Sequence, residues 1–229
     1  MDALWCVIPA AGKGVRAGGD RPKQYQSVAG RPLLDHTLER LAAHPLVAGL
    51  MVVIAADDQH FAAVEAIHGK PLLTTVGGSE RSYSVLAGID ALPASVAGDA
   101  FVLVHDAARP CVRADDITRL IQQAGQQEGG LLGAPLRDTL KRAGEGGHSL
   151  ATEPRDGRWR AFTPQMFRRE ALARALRLAV ADGIVVSDEA MAMERIGIAP
   201  LLVEGSEDNI KVTTPADFAL AEFLLGRTR

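Results

Sequence analysis

Cysteine is scarce in this sequence, which has only Cys6 and Cys111 among its 229 residues. Neither has a second cysteine at the spacing of a metal-ligand pair, so a zinc site and a disulfide scaffold are both excluded. Each lies in or just after an apolar segment. We therefore expect two reduced thiols packed inside the protein, although a single Cys6 to Cys111 bond is arithmetically possible.

Long apolar segments are lacking as well. The longest uncharged apolar run extends from Leu46 to Ala56, well short of the ~18 residues that a membrane-spanning helix needs. The N-terminus has no basic residues before its first apolar segment, as a secretory signal would have. These observations predict a cytoplasmic protein that does not bind membranes.

Neither a strong net charge nor many aromatic side chains are present. The 25 lysine and arginine residues against 28 aspartate and glutamate residues give a net charge of −3, so the overall charge identifies no partner. Aromatic residues make up 4% of the chain, too few for a base-stacking surface, and we expect no nucleic-acid partner. The histidines show no metal-ligand spacing, and no nucleophile elbow indicates covalent catalysis.

What the sequence does contain is an alternation of short apolar segments with segments of helical periodicity. The first apolar run, Leu4 to Ile8, has no polar alternation, which is typical of a strand buried on both faces of a parallel sheet. Further strands are predicted at Leu50–Ala55, Leu72–Val76 and Phe101–Val104, with helices after Pro32, from about Asp57 to Ile67 and from about Ser79 to Leu92. This order predicts a doubly wound α/β fold whose ligands bind at the carboxyl ends of the strands.

The second half of the chain continues the pattern around a polar insertion. After a strand at Leu131 to Pro135, residues 137–163 are predicted to form two extended segments around Gly144 to Gly147, which together make a protruding β-arm. Beyond the arm we predict a helix from about Phe167 to Ala181, a short helix after Asp188, strands near Leu201 and Ile210, and a final helix after Thr214 and Pro215. No repeat or linker is visible, so we expect one domain over residues 1–229 that includes the arm.

The segment from Pro9 to Gly18 is rich in glycine and follows the first strand directly, so its backbone N–H groups can approach a phosphate chain. It is not a dinucleotide fingerprint, because no helix opens there and the acids Asp57 and Asp58 follow too late, and the Walker pattern is absent. Two cations, Arg16 and Lys23, indicate a triphosphate whose charge they would offset. A solvated basic loop explains this segment equally well when it is taken alone.

Short motifs spread over nearly the whole chain point further. The first pair, Pro9-Ala10-Ala11-Gly12 with Pro22-Lys23-Gln24-Tyr25, resembles the signature of sugar-nucleotide pyrophosphorylases and related nucleotidyltransferases. The others are Gly77-Gly78 to Ser84-Val85, His105-Asp106-Ala107-Ala108-Arg109-Pro110, Asp138-Thr139, Thr163-Pro164-Gln165, Ser187-Asp188-Glu189-Ala190 and Asp208-Asn209-Ile210-Lys211-Val212. In this order they resemble the 2-C-methyl-D-erythritol 4-phosphate cytidylyltransferase family. The resemblance implies a Rossmann-like nucleotidyltransferase fold with a β-arm, and transfer of CMP from CTP to 2-C-methyl-D-erythritol 4-phosphate in the non-mevalonate route to isoprenoids.

The resemblance also assigns roles to individual residues. Catalytic roles fall to four cations, Arg16, Lys23, Arg155 and Lys211. Contacts with CTP are assigned to Ala10, Ala11, Gly12, Arg16, Lys23, Gly78, Ser79, Ser84, Asp106, Ala107 and Lys211. Contacts with the sugar phosphate are assigned to Arg109, Thr139, Arg155, Thr163, Ser187 and Lys211. Asp106, at the carboxyl end of a predicted strand, is in addition the candidate ligand of a Mg²⁺ ion on the phosphates.

Two of these residues depart from the usual family pattern. Ser79 stands where the family usually has aspartate, and it can still accept a hydrogen bond or cap the following helix. Ser187 stands where the family usually has threonine, and it retains the hydroxyl group.

The arm is implied to help form a homodimer and to contribute phosphate ligands, to its own site or to that of the neighbouring subunit. Two alternatives to the implied function stay open. One is a cytidylyltransferase for another polyol phosphate, such as ribitol 5-phosphate, against which the substrate-side residues argue. The other is a non-catalytic module that binds CTP, which would have no need of the loop cations and Lys211.

Overall fold

Short apolar strands that are buried on both faces build the centre of the molecule, of which the computed structural model describes residues 4–12 and 21–227. In chain order the strands are β1 (Leu4–Pro9), β2 (Ser27–Val28), β3 (Arg31–Pro32), β4 (Val47–Ile54), β5 (Ala66–Ile67), β6 (Lys70–Val76), β7 (Phe101–Val104), β8 (Gly129–Pro135), β9 (Leu140–Ala143), β10 (Ser149–Glu153), β11 (Trp159–Arg168) and β12 (Leu201–Glu204). Eight of them form one sheet in the order β12-β8-β11-β7-β1-β4-β6-β5. β11 is antiparallel to both neighbours and β5 to β6, whereas the other pairs are parallel. The predicted mostly parallel α/β sheet is confirmed.

Helices cover both faces of this sheet. They are α1 (Leu33–Ala43), α2 (Arg81–Asp90), α3 (Ala114–Ala124), α4 (Arg169–Ala181), α5 (Glu189–Arg195) and α6 (Pro215–Arg227), with short 3₁₀ helices at Lys23–Tyr25 and Glu145–Gly147. On one face, α1 and α3 share a buried cluster with Cys6 and Ile8 of β1. On the other face, α2, α4 and α5 pack around Val7 of the same strand. Successive side chains of a strand point to opposite faces, so a continuous apolar run supplies both layers of the core.

Three sequence predictions of secondary structure are wrong or incomplete. Residues 57–65 are not helical, because Asp58 accepts hydrogen bonds from the backbone N–H groups of His60 and Phe61 at 2.8 and 3.0 Å, which form a local turn. No strand forms near Ile210, whose N–H group bonds the carbonyl of Asp208 at 2.7 Å in a tight turn. The helix expected from Phe167 begins at Arg169, since the preceding residues belong to β11.

The polar insertion contains the two predicted extended segments. β9 and β10 pair with each other in an antiparallel hairpin around a glycine-containing tip, separate from the central sheet. None of the residues from 140 to 153 is buried. From Trp159 onward the chain rejoins the central sheet as β11, between β8 and β7. Within the described residues, no other element therefore covers the hairpin.

The carboxyl ends of β1, β4, β6 and β7 lie along the same edge of the sheet, because these strands are parallel to one another. The loops that leave these ends contain the start of the glycine-rich segment, the Gly77-Gly78 turn and the His105-Asp106 segment. Cys6 and Cys111 are both buried and form no disulfide bond with each other. Within residues 4–12 and 21–227, no helix is long and apolar enough to cross a membrane.

Candidate active site

A cleft of about 600 Å³ opens at the carboxyl edge of the sheet. It is lined by ten of the eleven residues that the sequence assigned to the nucleotide, namely Ala10, Ala11, Gly12, Lys23, Gly78, Ser79, Ser84, Asp106, Ala107 and Lys211. The eleventh, Arg16, lies outside the described residues. Five separate stretches of the chain thus meet at one edge of the sheet, as the carboxyl-end rule for open α/β sheets predicts.

The start of the glycine-rich segment is held in place by Gln24. Its side-chain amide is buried and donates hydrogen bonds to the carbonyls of Ala10 at 2.6 Å and Gly12 at 3.0 Å. The N–H group of Ala10 in turn donates to the carbonyl of Val53 in β4. Because Gln24 follows Lys23 in the same 3₁₀ helix, these bonds also fix the backbone of that lysine at the rim of the cleft.

The Gly77-Gly78 turn needs both glycines for close packing. A Cβ atom on Gly77 would lie 2.6 Å from the Oγ atom of Ser84 and 2.8 Å from the Cβ atom of Ala11. One on Gly78 would lie 2.5 Å from the Cβ atom of Tyr83. The backbone of this turn can therefore lie this close to its neighbours only because residues 77 and 78 have no side chains. The N-cap position of α2 is Glu80 rather than Ser79, so Ser79 lines the cleft without capping the helix.

The electrostatic centre of the cleft is the carboxylate of Asp106, whose side chain is 9% exposed. Its Oδ1 atom accepts a hydrogen bond from Arg81 Nε at 3.0 Å. Its Oδ2 atom lies 3.0 Å from Lys211 Nζ and 3.3 Å from Arg109 Nε. Burial alone would raise the pKa of Asp106, but the three cations hold it far below its usual value. The carboxylate is therefore permanently charged and fixes three cations around itself.

Arg81 connects Asp106 to a second carboxylate that the sequence analysis did not single out. Arg81 Nη1 and Nη2 donate to Glu189 Oε1 and Oε2 at 2.6 and 3.2 Å, a two-point interaction. Glu189 is only 1% exposed. Burial would lower the pKa of Arg81, but Glu189 and Asp106 raise it well above its usual value. Both residues lie within motifs named above, yet no sequence signal pairs side chains that are 108 positions apart.

Arg109 lies beneath this cluster and packs against protein groups, and it does not line the cleft. Its Nη1 atom donates to the carbonyl of Asn209 at 2.7 Å, and its guanidinium group lies 5.2 Å from the ring centroid of Phe162. The residue is 8% exposed. In the described geometry its donors face protein acceptors, and a contact with the substrate phosphate stays a prediction.

Thr163 supports the backbone of Asp106. Its Oγ1 atom accepts the N–H group of Asp106 at 3.0 Å and lies 3.0 Å from His105 Nδ1. The carbonyl of Arg109, 3.1 Å from His105 Nε2, can only accept, so we assign the ring hydrogen to Nε2. In the neutral ring His105 Nδ1 then accepts the hydroxyl hydrogen of Thr163. Burial lowers the pKa of His105 to about 4, so the ring is neutral near pH 7.

Lys211 enters the cleft from an irregular segment. The N–H group of Val212 bonds the carbonyl of Ala108 at 2.9 Å, and the side-chain amide of Asn209 bonds the carbonyl of Thr163 at 2.7 Å. These bonds hold the segment against the His105-Asp106 loop. The ammonium group of Lys211 is paired with Asp106.

Three residues assigned to the sugar phosphate, Thr139, Arg155 and Ser187, are exposed and lie outside the lining of the cleft. Arg155 Nη1 donates to the carbonyl of Arg137 at the base of the hairpin. The Oγ atom of Ser187 lies 3.6 Å from the sulfur of Met191. A single chain in this conformation therefore does not bring the three residues to the nucleotide cleft.

The acidic groups of the cleft are few. Within the described ranges, no three histidine, cysteine, aspartate or glutamate residues are grouped so that they could hold a metal ion. Asp106 and Glu80 are the carboxylates that line the cleft. Mg²⁺ in phosphate-transferring sites is commonly held by one or two carboxylates together with substrate phosphates. Because both oxygens of Asp106 already face cations, this donor set fits an ion that would be held mainly through the phosphates of a bound triphosphate, with Asp106 as a candidate protein ligand.

Comparisons with known proteins identify one family. Residues 4–227 match the family model described as IspD, 2-C-methyl-D-erythritol 4-phosphate cytidylyltransferase. A protein of that name from Stenotrophomonas maltophilia (strain K279a) is 57% identical over 227 residues, covering 98% of this chain and 97% of the relative. One from Xanthomonas campestris pv. campestris (strain B100) is 57% identical over 224 residues, covering 97% and 84%. The crystal structure of a 4-diphosphocytidyl-2C-methyl-D-erythritol synthase is 37% identical, with a TM-score of 0.84 over 98% of this chain and 99% of that one.

Proposed function

This chain belongs to the IspD family of 2-C-methyl-D-erythritol 4-phosphate cytidylyltransferases, and on that premise we propose how its residues transfer CMP from CTP to 2-C-methyl-D-erythritol 4-phosphate. The reaction belongs to the non-mevalonate route to isoprenoids and gives 4-diphosphocytidyl-2-C-methyl-D-erythritol and diphosphate. The observation that carries the proposal is the cleft itself. It combines a loop of small residues, a narrow glycine turn, Lys23 in the lining, and Lys211 paired with the buried carboxylate of Asp106.

CTP is proposed to lie across the cleft with its phosphates against the glycine-rich segment. Backbone N–H groups of Ala11 and Gly12, with Arg16 and Lys23, would face the triphosphate, as expected for a loop that follows a parallel strand. The cytosine would face the Gly78-Ser79 turn and Ser84, where the space is too narrow for side chains. Asp106 and Ala107 would contact the ribose.

The chemical step is proposed to be an in-line displacement at the α-phosphorus. A phosphate oxygen of the sugar phosphate forms a bond to the α-phosphorus while the bond to the bridging oxygen of the leaving diphosphate breaks. The attacking oxygen is already anionic, so no strong general base is needed and catalysis consists of positioning and charge stabilisation. Arg16 and Lys23 would stabilise the charge that develops on the α-phosphate and the diphosphate. A bound Mg²⁺ ion would supply further charge neutralisation on the phosphate oxygens.

The sugar phosphate is proposed to be oriented by Arg155 and Lys211, with Arg109, Thr139, Thr163 and Ser187 as the other assigned contacts. Lys211 already lies in the cleft, paired with Asp106. Thr163 and Arg109 lie directly behind that carboxylate, whereas the other assigned residues are exposed. The two groups could meet one substrate if it extends out of the cleft, or if the exposed residues come from a neighbouring subunit.

We propose that the hairpin forms a homodimer contact and that it presents its phosphate ligands in that assembly. Every residue from 140 to 153 is exposed or half-buried, and Leu150 on the hairpin is 65% exposed. Deletion of residues 142–152 should convert a dimeric mass in solution into a monomeric one, measured by light scattering. A dimeric mass that survives the deletion would show that the hairpin does not form the interface.

A cytoplasmic location stays a prediction from the sequence.

The reaction is tested by following diphosphate release with CTP, Mg²⁺ and each polyol phosphate in turn. We expect release with 2-C-methyl-D-erythritol 4-phosphate and little with ribitol 5-phosphate. A preference for ribitol 5-phosphate would show that the residues on the substrate side have been assigned to the wrong sugar phosphate. Binding of CTP without diphosphate release from any polyol phosphate would indicate a nucleotide-binding module and contradict the proposed function.

A further inference from the structure

We infer that Glu189 is a positioning residue for the transfer reaction, which acts through Arg81 to fix the carboxylate of Asp106 in the cleft. The inference rests on the proposed function and extends it to a side chain that does not line the cleft. The observation behind it is the continuous chain of contacts from Glu189 through Arg81 to Asp106 and on to Lys211.

Glu189 is itself held in a fixed place. It is the first residue of α5, directly after the N-cap Asp188, whose side chain accepts the N–H group of Met191 at 2.9 Å. The buried side chain of Gln165 in β11 donates to Asp188 at 3.0 Å and accepts the N–H group of Ala190 at 2.8 Å. The beginning of α5 is therefore anchored to the central sheet on both sides of Glu189.

Arg81 transmits this fixed position to the cleft. Its two terminal nitrogens bond the two oxygens of Glu189, which sets the plane of the guanidinium group, and its Nε atom is then directed at Asp106 Oδ1. A guanidinium group is planar and rigid, so fixing one edge determines where the remaining donor points. Arg81 lines the cleft and is 26% exposed, which leaves room for it to turn if Glu189 releases it.

The charges explain why a carboxylate stands at position 189. Arg81, Arg109 and Lys211 give three positive charges and Asp106 and Glu189 two negative ones, so the cluster has a net charge of 3 − 2 = +1. Without Glu189, the terminal nitrogens of Arg81 would lose their acceptors, and a triphosphate in the cleft would be the nearest alternative. Arg81 would then leave Asp106, whose Oδ2 atom orients Lys211. Loss of Glu189 would thus disturb a lysine that it does not touch.

The test is a double-substitution cycle with Glu189→Gln, Arg81→Met and the two combined, assayed for kcat and for the KM values of both substrates. Displacement of a positioned group by about 1 Å can cost up to about a hundredfold in rate, so we expect Glu189→Gln to lower kcat about ten- to a hundredfold. The combined variant should be no slower than Arg81→Met alone, because Glu189 acts only through that arginine. Arg195→Gln, which breaks the Arg195–Asp182 surface pair at the other end of α5, is the matched control and should retain the wild-type kcat.

A purely structural role would give a different pattern. If Glu189 only anchored α5, the two losses would multiply in the combined variant, and that result would overturn the inference. A kcat for Glu189→Gln within about twofold of wild type would overturn it as well. If Glu189→Gln alone does not fold, the combined variant still leaves no charge of this pair buried without its partner. Its kcat is then compared with that of Arg81→Met, and a tenfold lower value counts against the inference.

A second measurement does not depend on activity. In a crystal structure of Glu189→Gln, we expect the Arg81 Nε to Asp106 Oδ1 distance to exceed hydrogen-bonding range, whereas in wild type it is 3.0 Å. An unchanged distance would refute the positioning role. If wild-type protein releases no diphosphate with any polyol phosphate, the proposed function fails, while this distance still decides whether Glu189 positions Arg81.

Discussion

Replacing Asp106 by asparagine removes one negative charge from the centre of the cleft and preserves the shape of the side chain. In the wild-type protein this carboxylate faces Arg81, Arg109 and Lys211 within 3.3 Å. The substitution therefore leaves three cations around a neutral amide. Both the stability of the folded chain and the arrangement of the cleft should suffer.

The expected loss of stability follows from the burial of each partner. Removing one member of a buried ion pair costs about 3–5 kcal/mol, because the charge of its partner stays buried. Arg109 is buried, but Arg81 and Lys211 are 26% and 41% exposed, so water screens their charges. We therefore expect the lower end of the range, about 3 kcal/mol, or a fall in melting temperature of about 6–12 °C for a domain of this size.

The assay is thermal unfolding of Asp106→Asn followed by circular dichroism, with urea unfolding at 25 °C as a second measure. Asp90→Asn is the matched control, since Asp90 pairs with Arg177 on the surface, where the side chains are 48% and 56% exposed. A surface pair of this kind contributes about 0–1 kcal/mol. If the two variants melted within about 2 °C of each other, the buried carboxylate would not be what stabilises the cluster.

Further predictions concern catalysis, packing and pH. Lys23→Ala should lower kcat about 10²–10³-fold, the loss expected when one stabilising donor of the transition state is removed, and near-normal turnover would exclude it from the mechanism. Arg155→Ala should raise the KM of the sugar phosphate and leave that of CTP unchanged; an unchanged sugar-phosphate KM would count against its assignment. Gly88→Ala should destabilise the protein by about 1–3 kcal/mol, because the new Cβ atom would lie 2.5 and 2.7 Å from two valines of β1 and β4. The control is Gly226→Ala in α6, whose Cβ atom would meet no atom within 4 Å and which should not destabilise the protein. The pKa of His105 is about 4 in the folded protein and near the ordinary value of 6.5 in the unfolded chain. As the pH falls from 6.5 to 4, only the unfolded state takes up this proton, so the free energy of unfolding should drop by about 3 kcal/mol over that range. His105→Gln should remove that part of the slope in urea unfolding measured at successive pH values, and a slope equal to that of wild type would contradict the buried, neutral ring.

The fold was predictable because the signal that decides it is local. A run such as Leu4 to Ile8 has no polar alternation and can only be buried on both faces, and helical segments follow such runs in turn. The carboxyl-end rule then places the nucleotide cleft without any knowledge of contacts. Helix α3 is missing from the predicted elements, although Ile117, Leu120 and Ile121 have the apolar spacing of an amphipathic helix.

The wrong and missing predictions have other physical causes: a side chain that competes with the helical backbone, and contacts between segments far apart in the sequence. Residues 57–65 contain apolar positions that suit a helix. The Asp58 carboxylate instead accepts hydrogen bonds from the backbone N–H groups of His60 and Phe61 and from the Tyr25 hydroxyl, and these bonds replace helical ones. The pairing of Arg81 with Glu189 depends on the three-dimensional approach of α2 to α5. The sequence also could not show that Asp106, Asn209 and Phe162 enclose Arg109, whose contact with the substrate phosphate stays a prediction.

The measurement that tests the central claim most directly is a crystal structure of the protein with CTP and Mg²⁺. We expect the triphosphate to lie within hydrogen-bonding distance of Lys23 Nζ and of the backbone N–H groups of Ala11 and Gly12, with the cytosine beside Gly78. A nucleotide bound elsewhere would contradict this account, for example in the second cavity of about 370 Å³ that Arg40, Arg113 and Arg227 line.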